Sequence, residues 1–169
     1  MDTPATSSPA QPSEEQLDAW RRSGIRLDRD GRFMHEGAEV THPGLRAALY
    51  RWLDRDAEGR YILRLDATRF VWLEVDDAPF VVRSLRFEDD RAYALLSDRT
   101  EAPLDLATLH YGSDGVSVYA RVRDGRFPAR LASAAWGALA GHIDDDDGAV
   151  VVTRSGRYRI GSPRSTPVT

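Results

Sequence analysis

The spacing of apolar residues predicts a short amphipathic helix, then a strand and a turn, and then a second helix. Residues 14–22 place Leu17 and Trp20 on one helical face, and Ser13 has the position of an N-cap. Residues 25–28 alternate between apolar and polar side chains, as half-buried strands do. A buried helix face is predicted from residues spaced i, i+3, i+4, i+7 and i+8, namely Leu45, Ala48, Leu49, Trp52 and Leu53.

Most of the remaining chain has the composition and the alternation of β-strands. Strands are predicted over residues 61–65, 70–75, 80–87, 91–96 and 116–122. The first four of these form two hairpins, because short polar turns separate their members. Residues 97–115 hold no sustained periodicity and are predicted to be a loop.

The sequence RDGRF occurs twice, at residues 29–33 and 123–127. An Asp-Gly pair favours a tight hairpin turn, since glycine accepts a positive φ without a steric clash. Each copy is followed by an apolar helix, an acidic turn that ends in glycine, and further strands. After the second copy, Ser133 is the predicted N-cap and the strands are residues 149–153 and 158–160. The helix between them is predicted from its apolar residues, which are Ala135, Trp136, Leu139 and Ile143.

We therefore predict an α+β fold of two similar units, each a hairpin, a helix and a second hairpin. The units span about residues 25–75 and 116–161, antiparallel strands join them, and the N-terminal helix is added to the pair. Residues 13–161 are predicted to form a single domain. Residues 1–12 have almost no large apolar groups and are predicted to be disordered, and the Ser/Pro/Thr-rich tail at 162–169 is predicted to be flexible.

Several short motifs follow one another in an order that resembles a known family. They lie at residues 25–33, 45–53, 56–61 (DAEGRY), 75–80 (VDDAPF), 118–126 and 158–161. This series is similar to a bacterial family of uncharacterised proteins, domain of unknown function 1285. The resemblance implies an α+β fold with repeated motifs. It implies no activity and no catalytic residues, since none is established for that family.

Composition excludes several kinds of chemistry. Cysteine is absent, which removes thiol nucleophiles, thiolate metal sites and disulfides. All 23 basic residues are arginine, so a Schiff base, a lysine general base and a P-loop lysine are excluded. A net charge of −4 argues against nucleic-acid binding. No apolar run approaches the roughly 20 residues of a membrane span, and residues 1–13 lack the features of a signal peptide, so a cytoplasmic protein is expected.

The candidate binding residues follow from the repeat. If the two units pack about a pseudo-two-fold axis, the RDGRF turns occupy equivalent places, and a shared cleft is flanked by Arg29, Arg32, Arg123 and Arg126. Guanidinium groups suit carboxylate or phosphate ligands. The alternative is that each arginine pairs with an adjacent aspartate on a solvated hairpin. His35 is a further candidate for ligand binding.

Three functional hypotheses remain open. The first is a non-enzymatic binding or regulatory module that recognises a small anionic ligand or a protein partner. The second is a small hydrolase that uses His35 or His110 with a carboxylate, although no catalytic motif is present. The third is an oligomerising scaffold. The histidines have no metal-ligand spacing, and the sequence predicts no metal and no cofactor.

Overall fold

The computed structural model describes residues 14–144 and 149–162 and has a mixed α+β fold, which confirms the predicted class. In these ranges the helices are Glu14–Arg21 (α1), Pro43–Trp52 (α2) and Ser133–Ala140 (α3), with a 3-10 turn at Leu106–Thr108. The strands, numbered β1 to β15 in chain order, are Arg22–Leu27, Phe33–His35, Ala38–Glu39, Leu53–Arg55, Tyr61–Arg64, Phe70–Val75, Phe80–Glu88, Arg91–Leu96, Glu101–Leu104, His110–Tyr111, Val118–Val122, Phe127–Leu131, Ile143–Asp144, Val150–Thr153 and Gly156–Arg159. Among the described helices, none combines the length and the apolar character that a bilayer span requires.

The first sheet has the strand order β3-β2-β1-β6-β5-β4. β1 pairs antiparallel with β2 and parallel with β6, where Leu27 lies opposite Val75. Between β3 and β4 the chain forms α2, which buries Leu49 and Tyr50. The predicted helix is therefore present, but Leu45 at its start is 44% exposed, and Leu53 belongs to β4.

The second sheet has the order β10-β11-β12-β7-β8-β9. Its centre is a parallel pairing of β12 with β7, in which Ala129 lies opposite Phe80. β7, β8 and β9 form an antiparallel meander that connects the two halves of the chain. A third, antiparallel sheet of β13, β14 and β15 follows α3. Beyond β15 the chain contacts β10 of the second sheet, where the Tyr111 amide donates to the Gly161 carbonyl over 3.0 Å.

A row of aromatic rings links the two halves through the hydrophobic core. Phe33 meets Tyr50 edge-on at 4.8 Å between ring centroids, and Tyr50 stacks on Phe80 at 5.5 Å. Phe80 then contacts Phe127 at 5.7 Å. Each ring comes from a different element: β2, α2, β7 and β12. Aromatic contacts of this kind stabilise a core by about 0.5–1.5 kcal/mol beyond the burial of their area, so the row fixes α2 against both hairpins.

The two halves share an order of elements but differ in sheet pairing. In each half a hairpin is followed by a helix and then by three antiparallel strands. In the first half the last of these strands, β6, pairs with β1. In the second half the three strands form their own sheet, and β12 pairs with β7 instead.

The predicted loop at residues 97–115 is wrong, because it contains β9, the 3-10 turn and β10. β9 has only four residues and carries Pro103, so the sequence shows no alternation there. The prediction of Ser133 as N-cap is also wrong. Ala132 is the N-cap of α3, and no side chain caps that helix.

Several predictions lie outside the described residues. These are the disordered segment at 1–12, the N-cap Ser13, the acidic turn at 144–148 except for Asp144, which lies in β13, and all of the tail after residue 162. The helical prediction for residues 14–22 agrees with α1, while the side chains of Leu17 and Trp20 are not among those described.

Candidate functional site

The first RDGRF copy is held by the carboxylate that precedes it. Asp28 Oδ1 accepts hydrogen bonds from the backbone amides of Asp30 and Arg32, at 2.9 and 2.8 Å. Asp28 Oδ2 accepts a third bond from Arg32 Nε at 2.8 Å. Burial acts to raise the pKa of Asp28, but the hydrogen bonds from Arg32 outweigh it and lower that pKa. Arg32 is therefore a part of its own turn.

The same arrangement recurs at residues 56–60, whose sequence is DAEGR. Asp56 Oδ1 accepts from the amides of Glu58 and Arg60, and Asp56 Oδ2 accepts from Arg60 Nε at 2.7 Å. In both turns the glycine amide donates to the carbonyl of the leading aspartate. Residues 28–32 and residues 56–60 therefore form the same kind of turn. Its sequence pattern is D-x-[D/E]-G-R, and we call it the Asp–Arg turn.

The second RDGRF copy has a different backbone. Arg123, Asp124 and Gly125 all have positive φ values, of 54°, 55° and 77°. In the first copy only Gly31 does, with a φ of 74°. The residue before the second copy is Val122, which has no carboxylate to organise the turn. Five identical residues therefore adopt two conformations, and only the first copy follows an aspartate that accepts hydrogen bonds from its backbone.

Arg29 and Arg32 lie apart from Arg123 and Arg126. Arg32 is bonded to Asp28, as described above, and it also contacts Asp30 at 3.2 Å. Arg29 donates to Ser117 Oγ at 3.2 Å. The structure therefore does not place all four arginines around one cleft. His35 is exposed on β2.

Arg29 belongs to a polar cluster between the first turn and the second sheet. Arg130 donates to the Arg29 carbonyl at 2.7 Å, and its Nε lies 3.1 Å from Asp77 Oδ2. Arg130 Nε and Asp77 Oδ2 are both buried, and their geometry is not that of a hydrogen bond, so this contact is an ion pair. Tyr119 donates to the other Asp77 oxygen. This cluster connects the two halves of the chain, and each of its residues makes a structural contact.

Arg123 and Arg126 line a groove beside α2. Its volume is about 410 Å³, and it lies between α2, the turn that joins β8 to β9, and the second RDGRF turn. Ala47, Leu53, Phe80 and Phe127 form its apolar part. The polar lining comes from Tyr50, Arg51, Asp98, Thr100, Arg123 and Arg126.

A second cavity of about 350 Å³ adjoins the first. The two share Ala47, Tyr50 and Asp98, so they form one groove that we call the α2 groove. The second cavity reaches the first turn of α2, at Pro43 and Gly44, and adds two cations. These are Arg46, which lies 4.0 Å from Glu39, and Arg99.

Asp98 is the one carboxylate among the described residues that line the α2 groove. Its side chain is only 6% exposed and is fully engaged. Oδ1 accepts from the Thr100 amide at 3.0 Å and the Thr100 hydroxyl at 2.7 Å, and Oδ2 accepts from Arg123. Arg123 also donates to Thr100 Oγ1 and lies over the Phe80 ring. Asp98 therefore orients Arg123.

The remaining cations of the groove differ in how they are paired. Arg126 donates to Asp54 Oδ1 at 2.7 Å and lies over the Phe127 ring. Asp54 also binds Arg64 at 2.7 Å. Arg51 and Arg99 are exposed, and neither forms an ion pair or a side-chain hydrogen bond with a described residue. The groove thus carries five arginines against one buried carboxylate in a chain of net charge −4.

Three of these cations, Arg46, Arg51 and Arg99, were missed by reasoning from the repeat. Arg46 and Arg51 lie within the predicted helix, and no sequence signal separates them from ordinary surface arginines. Arg99 lies in the stretch predicted as loop.

Three of the four histidines have structural contacts. His42 caps α2, since its Nδ1 accepts from the Leu45 amide at 3.2 Å. His110 Nδ1 lies 3.0 Å from the Thr108 carbonyl, which only accepts, so this nitrogen is the donor. The His142 ring stacks on Phe87 at 3.8 Å. None of these contacts brings a histidine to a carboxylate, as the hydrolase hypothesis requires.

Two solved structures have a similar fold. A DUF1285 family protein from Silicibacter pomeroyi DSS-3 has a TM-score of 0.66 and 19% identity, over 86% of this chain and 81% of that chain. A DUF1285 family protein from Shewanella baltica OS155 has a TM-score of 0.59 and 17% identity, over 73% of this chain and 95% of that chain. No family model and no curated protein matches this chain. The fold is therefore like that of DUF1285 family proteins, and the resemblance seen in the sequence is confirmed at that level.

Proposed function

We propose that the protein is a non-enzymatic binding module whose α2 groove holds a small anionic ligand. The observation that carries the proposal is Arg51, a cation in a groove that has no acidic partner among the described residues. A guanidinium without a protein carboxylate has all its N–H donors available to a ligand. The groove is also opposite in sign to the chain as a whole, which favours the approach of anions to this place.

The paired arginines support the same proposal. Asp98 holds Arg123, and Asp54 holds Arg126, each through one Nη atom. A planar guanidinium has five donors, so both groups keep donors for a ligand while their orientation is fixed. Fixed donors lose less side-chain entropy when a ligand binds.

The test is a calorimetric titration of the protein with inorganic phosphate and with citrate at low salt. We expect binding that weakens as the salt concentration rises. Arg51→Gln should weaken it by about fivefold to tenfold, which corresponds to roughly 1–1.4 kcal/mol for one charged hydrogen-bonding group.

The matched control is Arg91→Gln. Arg91 is also exposed, but it lies at the other end of β8 from the groove, about 20 Å away at strand spacing. Equal affinity losses in the two variants would indicate a general charge effect. Absence of binding by both anions to the unaltered protein would refute the proposal.

A further inference from the structure

We infer that an acidic segment of a partner protein, rich in Asp and Glu side chains, binds along a cationic surface that begins in the α2 groove. This rests on the proposed function and names the partner of the same site. We call the surface the arginine surface. It consists of the five arginines of the α2 groove and three beyond it, namely Arg46, Arg51, Arg99, Arg123 and Arg126, with Arg55, Arg64 and Arg121.

Arg121 extends the positive charge beyond the groove along β11. It lies two residues before Arg123, so no more than about 7 Å separates their Cα atoms. Arg121 is exposed and forms neither an ion pair nor a side-chain hydrogen bond with a described residue. Burial raises the pKa of Tyr61, and the charges of Arg55 and Arg121 act against that increase. Arg121 therefore lies close enough to the first sheet for its charge to reach β5.

A second continuation runs from Arg126 to β4 and β5. Asp54 accepts from Arg126 through Oδ1 and from Arg64 through Oδ2, each at 2.7 Å. Arg64 also donates to the Arg55 carbonyl at 3.4 Å, and Arg55 donates to the Tyr61 hydroxyl at 2.7 Å. Arg126, Arg64 and Arg55 are thus linked in a row that starts at the groove. A small anion in the groove contacts one end of this row, whereas a chain of carboxylates contacts more of it.

The carboxylates of this region do not neutralise the arginine surface. Those that contact its eight arginines, or lie between them in the same turn, are Glu39, Asp54, Asp98 and Asp124. The first three are already paired with arginines of the surface, and Asp124 is exposed in the second RDGRF turn. The surface is therefore positive in a chain whose net charge is −4. This asymmetry favours the approach of an acidic partner from this side.

The aromatic rings beside these arginines favour carboxylates over nucleic-acid bases. Arg123 lies over the Phe80 ring, 5.5 Å from its centroid. Arg126 lies in the same way over the Phe127 ring at 5.3 Å, and both rings are buried. Bases of a single strand stack on open aromatic faces, which neither ring offers. The Asp54 carboxylate between two guanidinium groups is itself an example of the contact that an acidic segment makes.

The experiment is a calorimetric titration with octaglutamate, citrate and octathymidylate near 0.15 M salt, where exposed charges more than about 8 Å apart are largely screened. We expect octaglutamate to bind at least about tenfold more tightly than citrate, because it contacts arginines inside and outside the groove. Arg51→Gln should weaken the binding of both anions, since Arg51 lines the groove.

Arg121→Gln is the variant that tests the extension of the surface. It should weaken octaglutamate about threefold, the effect of one exposed ion pair, and change citrate binding less than about twofold. Its Tm should stay that of the unaltered protein, because Arg121 has no side-chain bond to a described residue to lose. The matched control is Arg91→Gln, at the other end of β8 from the groove, which should leave both anions unchanged. Equal losses of octaglutamate affinity in the two variants would indicate a general charge effect and overturn the inference.

The outcomes separate the inference from the proposed function. If octaglutamate binds no more tightly than citrate and Arg121→Gln affects neither, the groove holds a small anion alone, and only the inference is overturned. Tighter binding of octathymidylate than of octaglutamate would indicate a nucleic-acid interface and overturn the inference as well. Binding of octaglutamate without citrate or phosphate would support the inference and refute the small ligand. If none of these anions binds the unaltered protein, both are overturned.

Discussion

Tyr119 donates its hydroxyl to Asp77 Oδ1 over 2.7 Å and so joins β11 to the segment between β6 and β7. Burial of the ring, together with this hydrogen bond, raises the pKa of Tyr119 to about 12. An unfolded tyrosine ionises near a pH of about 10. Between these values the unfolded state loses the proton and the folded state keeps it. The contribution of Tyr119 to stability is therefore complete below about pH 10 and is lost as the pH rises towards 12.

We expect the Tyr119→Phe variant to lack the loss of stability between about pH 10 and 12 that ionisation of Tyr119 causes. The measurement is the free energy of unfolding by urea at several pH values from 8 to 12 for both proteins. Their difference should be largest at pH 8 and should shrink as the pH rises. A difference that stays constant with pH would show that Tyr119 does not titrate in this way. Burial also raises the pKa of Tyr50 and of Tyr61, so the variant retains some alkaline dependence.

Removing the negative charge of Asp56 should destabilise the Asp–Arg turn at residues 56–60. Burial acts to raise the pKa of Asp56, but the hydrogen bonds from Arg60 outweigh it and lower the pKa. The stabilisation is therefore present above about pH 4, the usual value for an unfolded aspartate, and is lost on acidification. Asp56→Asn should cost about 1–2 kcal/mol at pH 7 by weakening three hydrogen bonds, measured by urea unfolding.

Asp124→Asn is the control for that prediction. Asp124 lies in the second RDGRF copy, is exposed, and has a φ of 55°, which asparagine also accepts. We expect less than about 0.5 kcal/mol of change there. An equal cost for both variants would contradict the difference between the two turns.

The two RDGRF glycines should respond differently to alanine. Both have positive φ, so each substitution costs about 1 kcal/mol of backbone strain. A Cβ atom at Gly31 would also lie 2.9 Å from Ser97 Cβ and 3.1 Å from the Tyr50 hydroxyl, whereas at Gly125 it meets nothing within 4 Å. Overpacking adds roughly 1–3 kcal/mol. We expect Gly31→Ala to lower the free energy of unfolding by about 2–4 kcal/mol and Gly125→Ala to lower it by about 1 kcal/mol. Thermal unfolding of both variants measures these changes. Equal losses would show that the contacts around Gly31 do not hinder a Cβ atom.

Arg99→Gly is expected to stabilise the fold. Glycine relieves the left-handed strain at this position, and its greater entropy in the unfolded state offsets a part of the gain. The net gain is a few tenths to about 1 kcal/mol, since no ion pair of Arg99 with a described residue is lost. Thermal unfolding should show a raised Tm. A lowered Tm would indicate that the Arg99 side chain contributes to folding.

The sequence predicted the fold class and most of the helices and strands, because residues such as Leu49, Ile62 and Val82 follow the periods of buried helix and strand faces. It did not predict the parallel pairings of β1 with β6 and of β12 with β7, since pairing over such distances leaves no local pattern. The shared RDGRF sequence suggested one conformation for two turns, but the turns differ, and so do the residues that precede them, Asp28 and Val122.

The candidate site was predicted only in part. Arg123 and Arg126 lie in the α2 groove, and Arg29 and Arg32 do not. Arg51 and Arg99 come together with them only through tertiary packing, because α2 contacts a turn about 50 residues further along the chain. Spacing in sequence carries no information about such a contact.

The position of β12 between β7 and β11 has a consequence for synthesis of the chain on the ribosome. β7, β8 and β9 are complete by residue 104, but β7 has an unpaired edge until residue 131 has emerged. That edge includes Val81 and Val82, which are buried in the finished fold. Unpaired apolar edges are templates for aggregation. We therefore expect chains truncated between residues 104 and 131 to aggregate more readily than the full chain.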